Sequence, residues 1–245
     1  MREGLKPLRL HWYPRLRSTN DHAAVLRRRG RIFAPCVVLT GKQTAGRGRG
    51  SNSWWSGSGN LTVTFVLAQE DYLPPHEIPL IAGLSVRDAA AELTGERNIE
   101  LKWPNDVLFD GKKLAGILCE RVTKADLVGI GLNVNLDPAK APPALRPSVT
   151  SLLAIRANRQ PLDLTDVLIR VAQHLHANVR RRANQPFVTF LRQYERHHAL
   201  VGKRVAIAGE AISGRVEGID RDGRLVLTDR GVTHRVVAGT VIIPP

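Results

Sequence analysis

The run Ile99-Glu100-Leu101-Lys102-Trp103-Pro104-Asn105-Asp106-Val107-Leu108-Phe109-Asp110-Gly111-Lys112-Lys113-Leu114-Ala115-Gly116-Ile117-Leu118-Cys119-Glu120 decides the architecture. Ile99 to Trp103 reads as a strand entering a Pro-Asn-Asp turn. Val107 to Phe109 then meets Leu114 to Glu120 through Asp110-Gly111, a dipeptide that favours the tight hairpin turn. A further strand over Leu127 to Val134 ends in Gly131-Leu132-Asn133. Upstream, Pro35 to Thr40 and Leu61 to Ala68 are apolar runs rich in β-branched residues and read as buried strands. Ile78 to Leu93 carries apolar residues at helical spacing. Hairpin-joined strands flanked by helices predict an α+β fold with a mixed, mostly antiparallel sheet, and argue against a doubly wound nucleotide fold.

Working outward, residues 18–30 read as a short helix with Ser18, Thr19 or Asn20 as cap and Gly30 as stop. The proline-rich stretch Ala139 to Pro147 reads as a surface loop. Leu164, Val167, Leu168, Val171 and Leu175 trace one face of an amphipathic helix over Leu164 to Arg182, and a second helix follows from Phe187 to about His197, with His197-His198 reading as its solvated end. Beyond it the pattern changes to short alternating runs at Lys203 to Ala208, Ile212 to Ile219, Arg224 to Thr228 and Val232 to Ile243. Glycine-containing turns at Gly209-Glu210, Asp222-Gly223 and Arg230-Gly231 part them, which predicts a small β-barrel of about five strands. The chain thus divides into residues 1–198 and 199–245, with no flexible linker, so the barrel is expected to pack on the larger unit.

At 245 residues and 43% hydrophobic, the chain can bury a full core and a smaller second one. No apolar run approaches the roughly 20 residues that a bilayer span requires, and the first residues lack the pattern of a signal peptide. A soluble cytoplasmic protein is expected. Cys36 and Cys119 lie within apolar runs, which suits buried thiols in a reducing compartment. The formal charge of +14 favours anionic partners. Nucleic acid is one such partner, but Arg27-Arg28-Arg29 and Arg180-Arg181-Arg182 read as solvated helix ends, and 5% aromatic residues leave few stacking platforms.

Between the strands at 35–40 and 61–68 lies Gly46-Arg47-Gly48-Arg49-Gly50. Glycines let backbone approach phosphate or carboxylate oxygens, and the guanidiniums supply planar, permanently charged donors. Lys102, Asn105, Asp106 and Lys113 add two ammonium groups, an amide and a carboxylate; the last suits Mg²⁺ or a ribose in such surroundings. The chain lacks a P-loop, histidines at zinc spacing and a Gly-x-Ser-x-Gly elbow. What remains is chemistry that needs positive charge and orientation without a protein nucleophile. Joining a carboxylate to the α-phosphate of ATP is such a reaction.

The ordered set Ser18-Thr19-Asn20, Gln43 to Gly50, Trp54, Gly59-Asn60-Leu61, Lys102 to Asp106, Lys113 to Leu118 and Gly129 to Asn133 resembles the biotin protein ligase family, the biotin–[acetyl-CoA-carboxylase] ligases. The resemblance implies a class II aminoacyl-tRNA synthetase-like catalytic fold with an SH3-like barrel at the carboxyl end. It implies two steps: biotin and MgATP give biotinyl-5'-AMP and pyrophosphate, and the acyl group then passes to one lysine of a biotin carboxyl carrier domain. By motif, Ser18, Thr19, Asn20, Gln43 and Gly116 line the biotin site, and Arg47, Gly48 and Arg49 close over the biotin carboxylate and the phosphate. Lys113 is the main electrostatic catalyst, with Arg47 and Arg49 beside it. Trp54, Lys102, Asn105, Asp106, Gly131 and Asn133, with Arg49, serve ATP, and Asp106 serves Mg²⁺.

Two departures stand out. Many relatives continue the loop to a third arginine, where this chain has Gly50-Ser51-Asn52. Only 17 residues precede Ser18, too few for the helix-turn-helix domain of the repressor members, so sequence-specific DNA binding is not expected. The resemblance also implies a homodimer through the main sheet, and the lack of a long apolar run predicts no membrane association. Competing readings are a lipoate or octanoyl transferase of the same fold and a basic nucleic-acid-binding module.

Overall fold

The computed structural model describes residues 8–68, 73–122 and 125–244. Its larger sheet has seven strands: β1 (Arg9–Tyr13), β2 (Cys36–Thr40), β3 (Asn60–Ala68), β4 (Ile99–Lys102), β5 (Asp106–Phe109), β6 (Lys112–Val122) and β7 (Ala125–Asn133). They lie in the order β1-β2-β3-β7-β6-β5-β4. Every pair is antiparallel except β1 with β2, so the sheet is mixed. Asp110 and Gly111 join β5 to β6 with φ of 51° and 69°, the left-handed backbone that a tight hairpin requires. β1 is a strand that the sequence did not announce. Its Arg9-Leu10-His11-Trp12-Tyr13 is only five residues long and lies on an edge, with Trp12 59% exposed.

One face of this sheet is covered by α2 (Ile78–Thr94), backed by α4 (Leu164–Asn184) and α5 (Val188–Glu195). Val37, Phe65, Val128, Ile130 and Leu132 pack there with Ile81, Leu84 and Val171. The opposite face is covered by α1 (Thr19–Arg28) over a small cluster of Ala23, Cys36, Val38, Val66 and Leu127. The strand period of two sorts these residues between the faces. A short α3 (Leu152–Ile155) follows the proline-rich segment, which folds into 3₁₀ turns at Pro138–Lys140 and Arg146–Ser148.

The second sheet is antiparallel, in the order β11-β10-β9-β8-β12, from β8 (Arg204–Ile207), β9 (Ser213–Ile219), β10 (Leu225–Asp229), β11 (Val232–Val236) and β12 (Val241–Ile242). The expected barrel is therefore a five-stranded sheet with β11 and β12 as its edges among the described pairings. It packs on the larger unit as expected, and buried Trp103 donates its indole N–H to Gly223 O at 3.0 Å across the junction.

Two surface expectations need correction. Arg182 is not solvated: it forms a two-point ion pair (2.6 and 3.0 Å) with Glu77, whose side chain is buried, while Arg181 stacks on Phe190 at 4.3 Å. Nor is His198 a solvated helix end. Residues 197–199 run beside β4, with Leu101 N–H donating to His197 O and Ala199 N–H to Leu101 O, and so cover the outer edge of the sheet. The His198 side chain is buried against Tyr194, and neither ring nitrogen finds a hydrogen-bond partner among the described residues.

Burial pushes the His198 pKa down to about 4. The folded state thus favours the neutral ring, so its contribution is whole above the unfolded value near 6.5 and is lost as pH falls toward 4. By urea unfolding, the chain should lose roughly 3 kcal/mol more between pH 7 and pH 4 than a His198→Leu variant. Parallel losses in the two proteins would refute this account.

Candidate active site

The alternation that fills the α2 face leaves the α1 face of β6 and β7 partly bare. Gly116 pairs with Gly131 and Leu118 with Gly129, so backbone rather than side chains forms the floor of a cavity. A Cβ at Gly129 would strike the Asn20 amide, and one at Gly131 would strike the Trp54 indole. The glycines are thus required by close approach. The cavity holds about 440 Å³ and is lined by every residue that the motifs assigned, from Ser18, Thr19, Asn20 and Gln43 to Lys113, Gly116, Gly131 and Asn133.

At one end stands the amino terminus of α1. Ser18 caps the helix through the Asp21 N–H, and Ser18, Thr19 and Asn20 are all buried. Gln43 Oε1 accepts from the Thr19 N–H at 2.8 Å and from its hydroxyl at 3.2 Å, which leaves the Gln43 amino group to donate elsewhere. Asn20 is more committed: it donates to Leu118 O and to Glu120 Oε2 and accepts from the Thr64 hydroxyl at 2.6 Å. It shapes the wall more than it offers free donors.

The glycine-arginine loop joins β2 to β3 above the floor. Gly48 N–H donates to Asn52 O and Asn52 N–H to Arg49 O, with Gly50 at φ 59°, so the loop folds back on itself as a narrow hairpin. Arg47 Nη2 lies 2.7 Å from Asp21 Oδ1 and 2.7 Å from Glu120 Oε2. Arg49 reaches the second sheet, donating to Gly239 O at 3.3 Å, and its burial lowers its pKa. The Trp54 ring lies on Gly116 and Gly131, with Lys113 Nζ 5.8 Å from its centroid. Its buried indole N–H has no partner among the described residues.

At the other end Lys113 Nζ meets Asp106 Oδ1 at 2.7 Å. Burial, offset in part by the Asp106 carboxylate, holds Lys102 below the usual lysine range. Asn105 donates to Ile117 O at 2.7 Å and accepts through its main chain from Ile117 N–H, pinning the Pro-Asn-Asp turn to β6. Asn133 donates to Lys113 O and Thr150 O, so its amide anchors the strand that carries Lys113. Arg49, Lys102 and Lys113 thus stand at one end of the cavity, and the neutral polar groups of Ser18, Thr19, Asn20 and Gln43 at the other, with Arg47 paired to Asp21 and Glu120 beside them. Such a site orients an uncharged ring at one end and stabilises charge growing on an anion at the other.

Sequence reasoning missed Asp21, Thr64, Glu120 and the Gly239-Thr240-Val241 segment of the second sheet. Glu120 was within reach, because strand alternation from Gly116 through Leu118 places it on the site face. Thr64 and Gly239 depend on strand register and on the packing of the two sheets, which no local pattern carries.

The chain belongs to the biotin/lipoate A/B protein ligase family, which residues 12–137 match. Within that family its relatives include biotin ligases, and residues 201–243 match the biotin protein ligase C terminal domain. The biotin–[acetyl-CoA-carboxylase] ligase of Mycobacterium tuberculosis is 33% identical over 92% of this chain and 85% of its own length. That of Paracoccus denitrificans is 30% identical over 93% and 95%. A biotin protein ligase from Aquifex aeolicus, solved in complex with biotin and ATP, superposes with a TM-score of 0.86 at 28% identity, covering 96% of this chain and 97% of the other.

Gly131→Ala sets a methyl where the Trp54 indole now rests. The emission attributable to Trp54, obtained by difference against Gly131→Ala/Trp54→Phe, should move to longer wavelength as the ring is expelled, while stability changes by less than about 1 kcal/mol. An unshifted spectrum would mean that the ring does not rest on the glycines.

Proposed function

We propose that the chain is a biotin protein ligase that makes biotinyl-5'-AMP from biotin and ATP and then transfers biotin to a lysine of a carrier domain. The observation that carries this reading is one cavity in which a side-chain-free floor runs from the polar end of α1, with Arg47 beside it, to Arg49, Lys102 and Lys113. In this reading the ureido ring lies against Ser18, Thr19, Asn20 and Gln43, and the thiophane ring and alkyl tail cross Gly116 and Gly131, with Trp54 as a movable cover. The biotin carboxylate then reaches the α-phosphate of ATP. A carboxylate oxygen bonds to the α-phosphorus, and the bond to the bridging oxygen of the β-phosphate breaks to release pyrophosphate. Lys113, Arg47 and Arg49 stabilise the charge that accumulates on the α-phosphoryl oxygens, and no protein nucleophile takes part. In the second step the acceptor amine forms the amide at the acyl carbon and AMP leaves.

Asp106 is one carboxylate with no second acid in its immediate set, and no group of three or more metal-binding side chains exists among the described residues. That donor set fits Mg²⁺, which keeps several waters and takes most of its ligands from substrate phosphates, and fits no all-protein cage. When bound with ATP, Mg²⁺ would neutralise phosphate charge, with Asp106 as its protein contact after release of Lys113. We assign residues 1–198 to the catalytic unit and 199–245 to the carboxyl-terminal unit, and read the working form as a homodimer through the main sheet. A reducing, cytoplasmic setting suits the free thiols Cys36 and Cys119, whose pKa values burial raises. No described helix is long and apolar enough to cross a membrane.

Purified chain should exchange labelled pyrophosphate into ATP only when biotin is present, and should label a biotin carrier domain only when its acceptor lysine is intact. Labelling of a lipoyl domain in its place would favour the lipoate reading. Lys113→Ala and Arg47→Gly should each slow adenylation by about 10²-fold or more, as loss of an oriented charge at a reacting oxyanion does. Near-wild-type rates in both would remove these residues from the chemistry.

A further inference from the structure

Arg47 is assigned above to an anionic ligand, yet in the structure it already has anions. Its Nη2 sits 2.7 Å from Asp21 Oδ1, 2.7 Å from Glu120 Oε2 and 2.8 Å from Glu120 Oε1. Two carboxylates therefore share one guanidinium terminus. They come from different elements, Asp21 from the first turn of α1 and Glu120 from β6, while Arg47 is on the loop that closes the cavity. Glu120 also accepts from Asn20 Nδ2 at 2.8 Å, so one carboxylate touches both the polar wall and the loop. The three charged side chains are 33–49% exposed. Ion pairs in that setting are weak, and so they can be exchanged for a better-placed anion at little cost.

We propose that Asp21 and Glu120 form an internal counter-anion that holds Arg47 until a ligand carboxylate or phosphate replaces it, so that both act as positioning residues setting the affinity for anionic ligand. The two are not equivalent. The Asp21 carboxylate touches the site only through Arg47, so neutralising it removes a competitor and otherwise only one charge from the first turn of α1. Glu120 also fixes Asn20, so truncating it loosens the wall against which an uncharged ring would lie. The proposal rests on the reading of the ligand as biotin, whose carboxylate is its only charge.

Calorimetric titration of the full chain with biotin, and with the alcohol obtained by reducing its carboxylate, tests this. Asp21→Asn should tighten biotin binding by about three- to fivefold, the size expected for an exposed ion pair, and leave binding of the alcohol unchanged. Glu120→Gln, which keeps an acceptor for Asn20, should act in the same direction, and the Asp21→Asn gain should vanish in an Arg47→Met background. Unchanged or weaker biotin binding in Asp21→Asn overturns the proposal. So does an equal gain for the alcohol, or a gain that survives loss of Arg47. If wild-type chain binds the alcohol and biotin not at all, the functional reading itself fails, and the proposal with it.

Discussion

A strip of sheet without side chains is the constraint on which the molecule depends. Gly116, Gly129 and Gly131 give the cavity its floor, and glycine inside a strand weakens it by removing packing and adding unfolded-state entropy. The compensation lies on the reverse of the same strands. Ile117, Val128, Ile130 and Leu132 are at most 2% exposed and pack under α2, while β3, β7 and β6 pair over nearly their whole length. The core supports the strands from one side so that the other can stay open. Asn20 and Trp54 then rest directly on the backbone, a distance of approach that any Cβ would forbid.

Electrostatics in the cavity follow a similar division of labour. Charges that would repel one another at close range are each given a local partner: Asp106 for Lys113, and Asp21 with Glu120 for Arg47. Arg49 and Lys102 are more buried and less well matched, and burial lowers the pKa of both. Their positive charge is therefore held at some cost, and an arriving anion relieves it. The amides of Asn105 and Asn133 are taken up in main-chain hydrogen bonds, which fix the turn and strand that carry the charged groups. Precision at the reacting end comes from these neutral contacts, while the ionic ones remain exchangeable.

Much of this was legible in the chain. Asp110-Gly111, the β-branched runs and the helical spacing of Ile78 to Leu93 are local signals, and the corresponding elements formed close to where those signals placed them. The polar and cationic residues proposed for the site stand in short motifs, and register brings those motifs to one cavity. What escaped depends on distance. β1 alternates Leu10 and Trp12 with Arg9 and His11 over only five residues, too short a run to announce an edge strand that is defined by its pairing with β2. His198 looked polar and terminal, but its place is set by the main-chain bonds that residues 197–199 make to Leu101. Arg182 looked solvated for want of any local sign that Glu77 lay beside it.

The site is also finished late. Trp103 bonds to Gly223 and Arg49 to Gly239, across 120 and 190 residues of sequence, and Gly239 to Val241 form part of the cavity wall. Contacts of that span close only after the intervening chain has collapsed, which makes them slow to form. On a ribosome the amino-terminal half of the pocket exists well before its last wall has been synthesised. Until the final strands dock, Arg49 and Trp103 lack the partners that hold them, and a prematurely ended chain keeps the motifs without the enclosure that gives them their chemistry.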